Sequence, residues 1–270
     1  MSTMPTLFIP HGGGPCFFMD WDPPETWDRM AEYLRSVPAS VGQKPDAIVL
    51  VSGHWEEDVI AIQKNPVPPL LFDYNGFPQS TYQLEYPAPG SPDVSERIAT
   101  LLTEAGIDWK YETERGFDHG TFIPLKVAYP DADIPIVQVS LRADLDPAAH
   151  LEIGKALQPL RKESILIMGS GMTYHNMQIM MRNLRGNEEV ATGSEPFDNW
   201  LDDVLTKREP EARERALADW EAAPTARLAH PREEHLLPLH VVVGAAGTDT
   251  GRRMLKDTVL GAVESAFQFG

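Results

Sequence analysis

The 270-residue chain is 42% hydrophobic, which is enough apolar content for a full core and excludes a fibrous or disordered class. Its 23 Lys and Arg stand against 40 Asp and Glu, and the formal net charge of −17 argues against nucleic acid or an anionic membrane as a partner. A single cysteine, Cys16, leaves no internal disulfide and no paired-thiolate metal site, so any metal must take nitrogen and oxygen ligands.

The opening Met1-Ser2-Thr3-Met4-Pro5 lacks the basic start and apolar run of a signal peptide, and the expectation is a soluble, cytoplasmic protein with no membrane partner. Apolar runs at 6–9, 47–52 and 59–63 read as strands. The proline-rich stretch 65–89 has no helical period. Its aromatics Phe72, Tyr74, Phe77, Tyr82 and Tyr86 mark a folded covering loop and a candidate active-site wall. Ser91-Pro92 then opens a helix over 91–105, with Val94, Ile98, Leu101 and Leu102 on its inward face. Further strands are expected at 134–140 and 164–169, with a helix at 148–160 between them. A polar, glycine-containing surface loop is expected over 182–194, helices over 195–205 and 233–245, and a last strand near 259–263. Apolar strands alternating with amphipathic helices, without repeats or a linker, predict one α/β domain over 1–270: a central mixed sheet flanked by helices.

The chemistry lies in where the histidines fall. His11 follows Leu7-Phe8-Ile9-Pro10 and precedes three glycines, and His54 follows the run Ile48-Val49-Leu50-Val51-Ser52-Gly53. A third strand runs through Gly169-Ser170-Gly171 toward His175, the glycines permitting a sharp turn. The carboxyl ends of strands form the ligand crevice of open α/β sheets, so these imidazoles can converge on one metal ion. His119, in Gly116-Phe117-Asp118-His119-Gly120, and His235, after Glu233-Glu234, join them from elsewhere.

Each placement alone has a structural reading, since a lone histidine after a strand is more often a hydrogen-bonded scaffold residue. His150 and His240 take that reading, at a helix start and in a core helix, and His230 is left open. Asp118 reads as a turn residue, and the Glu233-Glu234 pair as favourable charge in the first turn of a helix.

The strand-His-Gly opening, Val51-Ser52-Gly53-His54-Trp55, Gly116-Phe117-Asp118-His119-Gly120, Tyr174-His175-Asn176 and Glu234-His235-Leu236-Leu237-Pro238 together resemble the class III extradiol ring-cleavage dioxygenases, in their DOPA 4,5-dioxygenase-like branch. The resemblance spans nearly the whole chain. It implies metal ligands at His11, His54 and His235, a proton carrier at His175 and a substrate contact at His119. It also implies Fe(II) as native metal, with Zn(II) able to occupy the purified protein. Partners are then a small aromatic diol and O₂, with a homo-oligomeric state left open. The branch departs from the two-histidine, one-carboxylate set of many Fe(II) oxygenases, which makes Glu234 the fallback ligand. Two rivals remain. A zinc hydrolase of amides or esters would use the same histidines, and a serine esterase, suggested by His11-Gly12-Gly13-Gly14, lacks the Gly-x-Ser-x-Gly elbow it needs. Lys or Arg residues are expected near the pocket to receive an anionic substrate.

Overall fold

A computed structural model describes residues 3–186 and 192–270. Met1 and Ser2 at the amino end, and 187–191 within the expected loop, lie outside the described residues. Its strands are β1 Thr6–Pro10, β2 Ala47–Glu57, β3 Ile60–Gln63, β4 Trp109–Glu112, β5 Ile136–Arg142, β6 Ile165–Gly171, β7 Gly251–Val259 and β8 Ala262–Phe269. They form one sheet in the order β4-β3-β5-β2-β6-β1-β8-β7. The central four strands, β5, β2, β6 and β1, are mutually parallel, while β8 pairs antiparallel with both β1 and β7.

The helices are α1 Asp28–Val41, α2 Pro92–Glu104, α3 His119–Ala128, α4 Pro147–Leu157, α5 Met177–Leu184, α6 Ser194–Lys207, α7 Pro210–Ala218, α8 Ala226–Ala229 and α9 Leu237–Ala246. Central parallel strands must be apolar on both faces, and β2 supplies this by alternation. Ile48 and Leu50 join Met30, Leu34 and Phe122 of α1 and α3, whereas Val49 and Val51 join Ile98, Ile153 and Val241 of α2, α4 and α9. A third cluster seats α6 to α8 against α9 and the edge hairpin, around Phe197, Leu201, Trp220 and Phe267.

Several expectations need correction. The strand foreseen at 259–263 is the turn of the β7–β8 hairpin, with Leu260 and Gly261 both at positive φ, so the apolar run straddles two strands. The helix foreseen from 233 begins at Leu237, because Pro238 takes a first-turn position and the preceding residues form a turn. The polar stretch 182–194 is not all loop: its first residues finish α5 and Ser194 opens α6. No described helix is long and apolar enough to cross a membrane.

Candidate metal centre and active-site cavity

A loop, a strand and a turn bring three imidazoles together: His11 after β1, His54 within the outer part of β2, and His235 before α9. His11 follows β1 directly, and its amide donates to the Gly171 carbonyl at 3.3 Å. Gly12 continues at φ +76°, a turn that an L side chain rarely adopts. His54 does not follow its strand but lies within β2, where the pairing with β5 shifts register between Val51 and Glu56; such an irregularity re-aims a side chain. The Arg115 guanidinium donates to the His54 carbonyl at 3.0 Å and fixes that stretch. His235 sits in the turn before α9. A side chain at Gly171 would collide with its carbonyl oxygen, so glycine lets β6 and this turn touch.

The Nε2 atoms of His11 and His54 are 3.1 Å apart, as are those of His54 and His235. Nitrogens bound to one ion at about 2.0–2.1 Å stand about 3 Å from one another, so the three atoms fit a shared metal. The opposite ring nitrogens orient them. Ser170 Oγ donates to the Gly120 carbonyl, so it accepts from His11 Nδ1 at 3.0 Å. Glu234 Oε1 accepts from His235 Nδ1 at 2.9 Å. Both contacts turn the Nε2 lone pairs inward, the arrangement metal-binding histidines use. Burial, reinforced by the neighbouring imidazoles, holds the pKa of His11 and His235 well below the ordinary value, and burial with the His119 ring pushes His54 down to about 3. Neutral imidazoles are the form that binds a metal.

The other two histidines flank this trio. His175 stacks on His235 with ring centroids 3.4 Å apart, and its Nδ1 lies 3.1 Å from the same Glu234 Oε1. His119, the first residue of α3, gives both its amide, at 3.0 Å, and its Nδ1, at 2.8 Å, to Asp73 Oδ1. Burial alone would raise the Asp73 carboxyl, but the His119 ring overrides it and holds the group below its ordinary value; the His175 ring does the same for Glu234. Glu234 therefore faces the Nδ1 side of the rings, away from the converging Nε2 atoms, rather than replacing one of them.

The remaining histidines lie elsewhere. His150 and His240 bond backbone groups of α4 and its neighbours, and His230 is buried behind His175 with Nε2 on the Thr173 carbonyl at 2.9 Å. Asp118 is more than a turn residue. Fully buried, it caps α3 and accepts from Ser52, Gln138 and Arg115, which ties the His119 and His54 segments together.

The five imidazoles form the floor of a cavity of about 310 Å³. Tyr74 and Phe77 of the covering loop wall one side, while Phe72 and Tyr82 pack against Tyr74 and Tyr86 turns into the core on the Tyr129 carbonyl. Trp21, Trp27 and the methionines of α5 complete the walls, and the sequence reading did not foresee them. The expected Lys or Arg is missing: no cationic side chain lines the cavity among the described residues.

Comparison with known proteins agrees with this geometry. The family "Catalytic LigB subunit of aromatic ring-opening dioxygenase" matches residues 5–268. A 4,5-DOPA dioxygenase extradiol of Beta vulgaris is 36% identical over 96% of this chain and 93% of its own length. One of Escherichia coli strain K12 is 34% identical over 90% of this chain and 85% of its own. The crystal structure of an uncharacterised Escherichia coli K12 protein superposes with a TM-score of 0.79 at 29% identity, covering 99% of this chain and 100% of the other. With its sheet, its histidine cluster and a match over nearly every residue, the chain belongs to the LigB family of class III extradiol ring-cleaving dioxygenases.

Proposed function

We propose that the protein opens the ring of a catechol-type diol next to its two hydroxyls, adding both atoms of O₂, with Fe(II) held by His11, His54 and His235. The convergence of three neutral Nε2 atoms at the base of an aromatic-sized cavity carries this reading. When bound, such an ion supplies adjacent positions for the two diol oxygens and a route for electrons from the diol to O₂. Zn(II) suits the same imidazoles but has no redox chemistry. We place the whole activity in one domain, 1–270.

The chain's own groups handle the protons. Glu234 holds the His175 Nδ1 hydrogen, which leaves a lone pair on Nε2 to take a hydroxyl proton from the diol and later return it. Asp73 does the same behind His119, so its Nε2 accepts from the substrate and, once protonated, donates to oxygen as charge develops. The apolar walls keep water from the opened ring, which leaves as a semialdehyde.

A zinc hydrolase would need only a Lewis acid and water from these ligands, and O₂ would not matter to it. Fe(II)-loaded protein given a 4-substituted catechol should consume O₂ and catechol in equal amounts and form a yellow, pH-sensitive product, whereas Zn(II)-loaded protein should do neither. Oxygen-independent ester or amide hydrolysis by the zinc form, with no O₂ uptake by the iron form, would replace this reading with the hydrolase.

A further inference from the structure

The cavity's imidazoles lie together at its floor, and Asn75 of the covering loop adds a neutral amide to the walls. The wall facing the covering loop is Met177, Met180, Met181 and Leu184 of α5 with Leu260 of the edge hairpin. Met177 lines the cavity and is also 40% exposed, so this wall reaches the surface. Of the guanidiniums bonded to residues of the site, Arg115 is engaged by the His54 carbonyl and Asp118, and Arg232 by Glu56 and Glu234; Arg182 of α5 and Arg185 just after it are exposed and do not line the cavity. Beyond Leu184 and Leu260 the surface groove carries Asp22, Glu25 and Asp257 against Arg29, which itself pairs with Asp257 at 3.6 Å.

A carboxylate on the substrate would therefore be desolvated with no cationic side chain lining the cavity among the described residues, in the field of Asp73, Glu234 and a chain of net charge −17. An ammonium group would meet thioethers and leucines before reaching any carboxylate outside. Methionines, unbranched and polarizable, repack around apolar groups of varied shape. Resting on the ring-cleavage reading, we propose that the substrate is an aromatic diol bearing an uncharged, apolar substituent, which lies against α5 and Leu260 while the diol faces the histidines.

The test is calorimetric binding to the Fe(II)-loaded full chain without O₂, using catechol, 4-tert-butylcatechol, protocatechuate and dopamine. 4-tert-Butylcatechol should bind at least about tenfold more tightly than either charged analogue, and more tightly than catechol itself. Met181→Lys, a half-buried site, should reverse the order of 4-tert-butylcatechol and protocatechuate, since a new ammonium supplies the missing partner. Protocatechuate or dopamine binding as well as 4-tert-butylcatechol overturns this inference alone, provided catechol is still cleaved when O₂ is admitted. An unchanged order in Met181→Lys overturns the placement on α5. Failure to bind or cleave any of the four overturns this inference and the ring-cleavage reading together.

Discussion

Two carboxylates stand behind the histidines, and they are wired differently. Asp73, on the covering loop, gives one oxygen to His119 alone, through both amide and ring, and its other oxygen lies 3.9 Å from His54. Glu234, in the turn before α9, gives one oxygen to two rings at once, those of His235 and His175. The Asp73 flank thus orients His119, the residue proposed to meet substrate. The Glu234 flank joins the proposed proton carrier to a proposed metal ligand; the His175 ring holds the Glu234 carboxyl below its ordinary value, and Arg232 lies 3.4 Å from its other oxygen. Altering the Asp73 flank should disturb the proposed ligands less than altering the Glu234 flank, since Asp73 bonds none of them and Glu234 bonds His235.

The largest effects should come from the trio common to both flanks. His11→Ala, His54→Ala or His235→Ala should each strip most of the bound metal while circular dichroism stays native, and elemental analysis showing one metal per chain in all three would sink the assignment. Next come the flanking rings. His175→Ala should retain metal yet lose about 10²–10⁴-fold in turnover, with His119→Ala losing a similar factor and also binding substrate more weakly. Loss of metal from His175→Ala would move that residue into the ligand set.

The carboxylates separate the flanks directly. Glu234→Gln should weaken metal affinity by about 10–100-fold as well as slow turnover, whereas Asp73→Asn should slow turnover with metal affinity nearly unchanged. Metal titrations giving equal losses in both variants would erase the distinction.

The smallest effect concerns the support beneath the His175 flank. Glu264, fully buried, accepts from the amides of Thr173 and Tyr174 and from the Thr173 hydroxyl, while its other oxygen has no partner. Burial raises its pKa well above the ordinary value despite those bonds. A carboxyl raised on folding stabilises the fold fully below its unfolded pKa of about 4.3, and that contribution declines as pH rises toward the folded value. The wild type should therefore lose thermal stability over that window, and Glu264→Gln, which keeps an accepting oxygen without the charge, should lose less. Parallel melting curves for the two across pH 5 to 8 would contradict the account.

Much of this was legible in the sequence. Apolar runs ending in His and Gly announced β1, β2 and β6 and the residues at their tips, because buried parallel strands need continuous apolar sequence. What stayed hidden is instructive. Asp73 and Ser170 look like ordinary loop and strand residues, and only the folded distances make them partners of His119 and His11. Helix α3 carries Gly120 and Pro124 and is buried nearly all round, so it shows no amphipathic period. Helix α1 was also not foreseen, although Met30, Leu34, Val37 and Val41 line its buried face; Pro38 interrupts the pattern. The Met wall of α5, Met177, Met180 and Met181, falls just before the 182–194 stretch read as polar loop, in residues to which the sequence reading gave no element, and the helix runs on into that stretch as far as Leu184.

The pairing of β1 with both β6 and β8 has a kinetic meaning. The first strand is locked between elements from the far half of the chain, and His54 meets His235 across 181 positions. Contacts so distant in sequence close late and slowly, after the loops between them have given up their freedom. A chain that has not yet brought His235 to His54 lacks the full set of converging imidazoles. Stoichiometric metal uptake during refolding would then be a clock for the final step, rising with the return of tertiary structure and lagging behind the helical signal.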